Sequence, residues 1–115
     1  MRLRLSPHVP GDLEEIADYI AKDSPRQAAR LLRELRARMK EIAKRPTLCR
    51  LRPELGAEAR LASLGQYVIL FRIRSNAVRI ERVVHGSRNL LPIMEENENW
   101  DQTRMQVQQK SDLKN

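Results

Sequence analysis

The chain has little of what usually announces a chemistry. Its one cysteine, Cys49, excludes an intrachain disulfide and a cysteine-based metal site, and reads as an ordinary reduced thiol in a loop. Histidine occurs twice, at His8 and His85, and the ligand spacings of a zinc site are absent. No cofactor or metal is therefore expected. Aromatic residues make up 3% of the chain, which leaves few platforms for stacking single-stranded bases. No apolar run approaches a membrane span, and the opening MRLRLSPHVP is too polar for a signal peptide. The expected location is the cytoplasm, with no membrane association. No paired carboxylates, no grouping of Ser, His and acid and no Gly-rich phosphate loop stand out, so no small-molecule substrate is expected.

Positive charge is abundant and unevenly placed. The 115 residues carry a net charge of +7, but from Glu95 onward acidic residues outnumber basic ones, so the first 94 residues hold +9. A domain of that excess attracts polyanions, whether nucleic acid, acidic protein or membrane surface. The length suits one domain with a single small core. That domain is read as 1–94, with 95–115 a polar tail that is disordered or helical on binding. Trp100, alone in the tail, reads either as an anchor to a partner or as an incidental exposed aromatic.

The stretch QYVILFRIRSNAVRIERVVHGSR, residues 66 to 88, organises the rest. Two apolar runs, Tyr67 to Arg74 and Ala77 to Val84, flank the turn pair Ser75-Asn76, which predicts a hairpin. With Arg74 opposite Ala77, Ile73 meets Val78, Phe71 meets Ile80, Ile69 meets Arg82 and Tyr67 meets Val84. One face is then apolar apart from Arg82, which needs an acidic partner from the first helix or a place at the rim. The other face, with Val68, Leu70, Arg72, Arg74, Arg79, Glu81 and Val83, is a mixed basic surface.

Upstream, Arg2 to Leu5 alternates as a short strand. Leu13, Ile16, Ala17 and Ile20 recur at helical spacing, giving a helix that starts between His8 and Asp12. Ser24-Pro25 with Gln27 predicts a capping box opening a second helix, whose stripe Ala28, Leu31, Leu32, Leu35, Met39, Ile42 and Ala43 ends before Pro46. The two form a helical hairpin that packs on the apolar face of the sheet. Residues 47–59 read as a loop with a weakly ordered middle, Arg60 to Leu64 as a strand, and Asn89 to Glu96 as one or two helical turns. The fold class is α+β: an N-terminal strand and an antiparallel helical hairpin on a small curled, mostly antiparallel sheet.

His85, with Arg72, Arg82 and Arg88 nearby, permits general-base chemistry on a phosphodiester, cutting RNA through its 2′-hydroxyl. The bland reading is a histidine that caps a strand end.

Taken together, SPHVPGDLEEIADYIAKDSPRQA, RPEL at 52–55, GQYVILFRI at 65–73 and IERVVHGSRNL at 80–90 resemble the ParE branch of the RelE/ParE superfamily, the toxins of bacterial type II toxin–antitoxin modules, also called plasmid stabilisation proteins. The resemblance covers residues 1 to about 94. It implies a ParD-like acidic antitoxin that folds on the toxin, contacting the exposed side of the helical hairpin, with Tyr19 and Arg30, and the sheet edge. It implies DNA gyrase as the target, bound through Arg60, Arg72, Arg82, His85 and Arg88. RelE-like relatives instead cut messenger RNA on the ribosome with basic residues and often a C-terminal tyrosine; here no tyrosine follows Tyr67, and Val68 stands where those nucleases carry a basic residue. A ribosome-dependent nuclease built on His85, Arg82 and Arg88 is the alternative, and a plain nucleic-acid-binding module, with tight and steeply salt-dependent duplex binding, the second. The toxin reading implies little duplex binding at physiological salt.

Overall fold

In the computed structural model, which describes residues 1–95, strand β1 (Arg2–Leu5) is followed by helices α1 (Val9–Ala21) and α2 (Pro25–Lys44) and strands β2 (Arg60–Leu64), β3 (Tyr67–Arg74) and β4 (Ala77–His85). The sheet order is β1-β4-β3-β2, with β1 parallel to β4 and the other pairs antiparallel. The α+β class, the helical hairpin and the curled sheet are as the sequence predicts.

Local chemistry explains the helix ends. Ser24 is extended, its Oγ accepts the Gln27 N–H at 3.2 Å, and Pro25 opens α2 where its missing N–H costs nothing. Only half of the capping box forms, because the Ser24 N–H donates to the Ile20 carbonyl at 2.9 Å and so ties α2 to the end of α1. Helix α1 begins at Val9, within the expected interval, and of its acids Asp12, Glu14 and Glu15, all expected in the first turn, only Asp12 lies there.

The apolar stripes of both helices meet one face of the sheet. Leu13 and Ile16 of α1 and Leu35, Met39 and Ile42 of α2 pack with Ile69, Phe71, Val78, Ile80 and Val83 in one buried cluster. Each such side chain contributes roughly 1.5–3 kcal/mol on burial, so this layer supplies most of the driving force for folding.

Two expectations need correction. The β3–β4 register holds from the turn to Phe71↔Ile80 and then shifts, so that Leu70 faces Arg82, Ile69 faces Val83, Val68 faces Val84 and Tyr67 faces His85. Glu81 is the extra residue of a β-bulge. The bulge is the physical answer to a sequence in which Arg82 otherwise falls on the helix-facing side: it places apolar Val83 there instead.

The second correction concerns the opposite face, expected as an open basic surface. There Leu70 joins Leu55, Ala59 and Met94 in a second buried cluster, with Leu61 and Leu90 packed against it. The segment 47–59 is shaped by two short 3-10 turns, Pro46–Leu48 and Pro53–Leu55, and residues 90–95 are helical. These two segments cover part of the sheet that strand periodicity leaves bare, so the domain has two cores rather than one. Trp100 and the tail after Glu95 lie outside the described residues.

Candidate functional site: the groove between the first helix and the end of the hairpin

Past Leu5, β4 has no strand on its outer edge, and two side chains take over. The Ser6 hydroxyl donates to the Glu81 carbonyl at 2.6 Å, while the Asp12 carboxylate accepts the Val83 N–H at 2.9 Å. The same carboxylate receives Arg82 Nε and Nη2, each at 2.8 Å. Asp12 and the Arg82 side chain are 6% and 12% exposed, so this is a shielded bidentate pair. Such a pair is geometrically specific, and removing one partner is far more costly than the pair is worth. Arg82 thus pairs with an acid of the first helix although the bulge takes it off the helix-facing side.

Beyond this clamp, α1 and the end of β4 enclose an open groove of about 700 Å³. Its helical wall is Asp12, Glu15, Ile16, Asp18, Tyr19 and Lys22; its sheet wall is Gln66, Tyr67, Val83, Val84, His85, Ser87 and Arg88. Tyr19 projects at its rim, 70% exposed. Burial, with Tyr19 next in effect, raises the Tyr67 phenol above its ordinary value.

Both ring nitrogens of His85 are engaged. Its Nδ1 accepts the Ser87 N–H at 3.1 Å and lies 2.7 Å from the Ser87 hydroxyl. That puts the ring proton on Nε2, which donates to Gln66 Oε1 at 3.2 Å. The ring also meets Tyr67 edge-on, with centroids 5.5 Å apart. Gly86 allows a close approach: its N–H donates to the Gln66 carbonyl at 2.8 Å, and a Cβ there would stand 3.3 Å from the same oxygen, tight enough to press on it. His-Gly-Ser is therefore a turn that fastens the end of β4 to the start of β3.

Of the residues singled out in the sequence, the groove gathers Tyr19, His85 and Arg88, with Arg82 behind its floor through Asp12. Arg72 is buried in β3. The Arg60 guanidinium donates to the Cys49 carbonyl at 2.5 Å, holding the 47–59 segment to β2. Arg30 lies on the exposed side of α2, bonded to Glu34 at 3.0 Å. Sequence reasoning expected an acid of the first helix for Arg82 without choosing Asp12, and passed over Gln66 and Ser87. Asp12 carried a weak signal, as the acid nearest the start of a helix facing a strand with a misplaced arginine; Gln66 and Ser87 carried none beyond flanking the hairpin. No group of three His, Cys, Asp or Glu side chains among the described residues is arranged to hold a metal ion, and no described helix is long and apolar enough to cross a membrane.

Residues 3–90 match the family model described as the ParE toxin of the type II toxin–antitoxin system, parDE. The chain belongs to the ParE toxin family. It is the toxin component of a type II toxin–antitoxin module. A solved chain from the chromosomal ParDE TA system of P. aeruginosa shares this fold, with a TM-score of 0.65 at 20% identity over 74% of this chain and 95% of that one. No curated protein sequence matches the chain.

Proposed function

We propose that this ParE-family toxin acts by binding DNA gyrase, without cutting RNA, and is neutralised in the cytoplasm by an acidic ParD-like antitoxin that forms a hetero-oligomer with it. The observation that carries the reading is the state of His85. A general base needs a nitrogen lone pair open to its substrate, and the only lone pair of this ring, on Nδ1, is taken by Ser87. Arg82, one of the two arginines of that alternative, is locked onto Asp12. Two of the three components of the nuclease alternative, His85 and Arg82, are thus engaged in holding the end of the hairpin, which favours a surface that binds.

On this reading domain 1–94 carries the activity. Arg88 and the groove wall, which His85 shapes from within and Arg60, Arg72 and Arg82 support from the sheet behind, present the target surface, and Tyr19 and Arg30 on the helical hairpin meet the antitoxin. An acidic segment finds an attractive field on a domain of +9.

The test pairs two assays of the purified toxin: DNA supercoiling by gyrase, and integrity of messenger RNA on translating ribosomes. Supercoiling is expected to fail while the RNA stays whole. Cut RNA with unaffected gyrase would overturn the proposal and make His85, Arg82 and Arg88 the active site. Adding the product of the neighbouring short acidic reading frame is expected to restore supercoiling.

A further inference from the structure

Beyond the end of α2 the chain turns two leucines out into solvent. Leu48 is 76% exposed and Leu51 48%, on either side of the half-buried Cys49. Leu48 is the most exposed large apolar side chain among the described residues. With Cys49 and the buried Ile42 it lines a groove of about 400 Å³. Arg38 and Glu41, which also line it, pair with each other at 3.4 Å and add no net charge. Lys44 and Arg45 complete the lining; both are exposed, and neither makes an ion pair among the described residues. A lone exposed leucine is ordinary. An apolar groove edged by two uncompensated cations instead suits a ligand that carries an apolar group between carboxylates.

The chain itself holds such a ligand. Glu95, Glu96, Glu98 and Asp101 surround Trp100, the one tryptophan of the protein, and residues 95–101 include no basic residue. The described chain also ends beside the groove. Buried Met94 packs with Leu55 and Ala59. The Ala59 carbonyl accepts the Arg52 N–H at 2.7 Å, and the next side chain, Arg60, donates to the Cys49 carbonyl. Glu95 therefore leaves the domain against the same 47–59 segment whose start forms the groove. Trp100 follows five residues later, a reach of about 17 Å when extended. So short a tether holds the segment at a local concentration of about millimolar, at which even a weak contact is occupied.

We propose that residues 95–101 fold back on their own domain, with the Trp100 indole in the groove of Ile42, Leu48 and Cys49 and the flanking carboxylates at Lys44 and Arg45. The indole supplies a large apolar surface for Leu48 to cover, and each carboxylate finds a cation that has no other ion-pair partner among the described residues. The segment is then a built-in acidic ligand. An acidic partner drawn to this end of the domain must displace it first. The inference does not depend on the gyrase reading, because it is measured on the isolated toxin.

The single tryptophan is its own probe. Emission maximum and acrylamide quenching are measured on the full chain for the wild type, for the groove variant Lys44→Gln/Arg45→Gln/Leu48→Ser, and for the control Arg33→Gln/Arg36→Gln, which removes the same charge from the exposed side of α2. Circular dichroism confirms that each is folded. Wild-type emission is expected to the blue of N-acetyltryptophanamide. The groove variant is expected to shift to the red, with a quenching constant about twofold or more above wild type as the docked fraction falls, and the control to stay at the wild-type values. Wild-type emission and quenching equal to those of the free amide would overturn the proposal. So would an equal red shift in the control, which reduces the effect to net charge, or a shielded tryptophan that the groove variant does not release, which puts the contact elsewhere. A blue shift that grows with protein concentration would overturn it in favour of insertion into a second copy.

Discussion

The two ends of the β3–β4 hairpin are built on different principles. At the turn end, Ser75 and Asn76 both take positive φ, 51° and 59°, the geometry of a tight hairpin turn whose twist suits the strands. Pairing from Arg74↔Ala77 to Phe71↔Ile80 is then regular. At the far end the ladder breaks at Glu81, and its groups are completed from outside the sheet by Ser6 and Asp12. Local turn chemistry sets the first half; contacts between residues about seventy positions apart set the second. The bulge and the groove of α1 occur together because one clamp makes both.

The sharpest way to break the contrast is to remove the clamp. Asp12→Ala takes away the bidentate acceptor of Arg82 and the acceptor of the Val83 N–H, and is expected to destabilise the toxin by about 3–5 kcal/mol in urea melts. A loss below about 1 kcal/mol would mean that the bulge stands without α1. The double variant Asp12→Ala/Arg82→Ala should lose clearly less than the sum of its parts, since the two side chains act as one unit.

A smaller loss is expected from Ser6→Ala, about 1–2 kcal/mol, for one buried hydroxyl whose carbonyl partner is left unsatisfied. His85→Gln is expected to keep the fold at a cost of about 1 kcal/mol and to leave gyrase inhibition within about twofold of wild type, a change worth under about 0.5 kcal/mol. Abolished activity in a folded His85→Gln protein would restore the histidine to a direct role.

At the other end of the hairpin the sign reverses. Replacing Ser75-Asn76 by Asn-Gly, the pair best suited to two positive φ values, should add about 0.5–1 kcal/mol. The smallest effect concerns Tyr67. Its phenol holds its proton more tightly in the folded state, so the contribution is complete below about pH 10, the ordinary tyrosine value, and fades as pH rises through the folded value. Tyr67→Phe should flatten that alkaline part of the stability curve, and an unchanged slope would place its cause elsewhere.

Much of the architecture was legible because its signals are local. The Leu35–Met39–Ile42 stripe of α2 repeats at helical spacing, Ser24-Pro25 marks the start of that helix, and two apolar runs around the polar pair Ser75-Asn76 specify a hairpin. The sequence singled out Arg82 as needing an acid of the first helix or a place at the rim, but from a face assignment that the bulge overturns. The site was legible only in part. His85 and Arg88 draw attention by type, but that His85 is bound by Ser87 and Gln66, that Arg60 serves the Cys49 carbonyl, and that Arg72 is buried depend on where loops and strand ends come to rest.

The sequence by itself thus determined which segments are helices and strands, which faces are apolar, and the pairing nearest the turn, because each depends on residues within a few positions of one another. Only the tertiary structure decided the bulge at Glu81, the second core over Leu70 and the coupling of Asp12 to Arg82. These depend on which distant groups must share burial, hydrogen bonds or charge once the chain is compact. A one-residue shift in register is invisible to periodicity, yet it moves a buried charge by a whole sheet face.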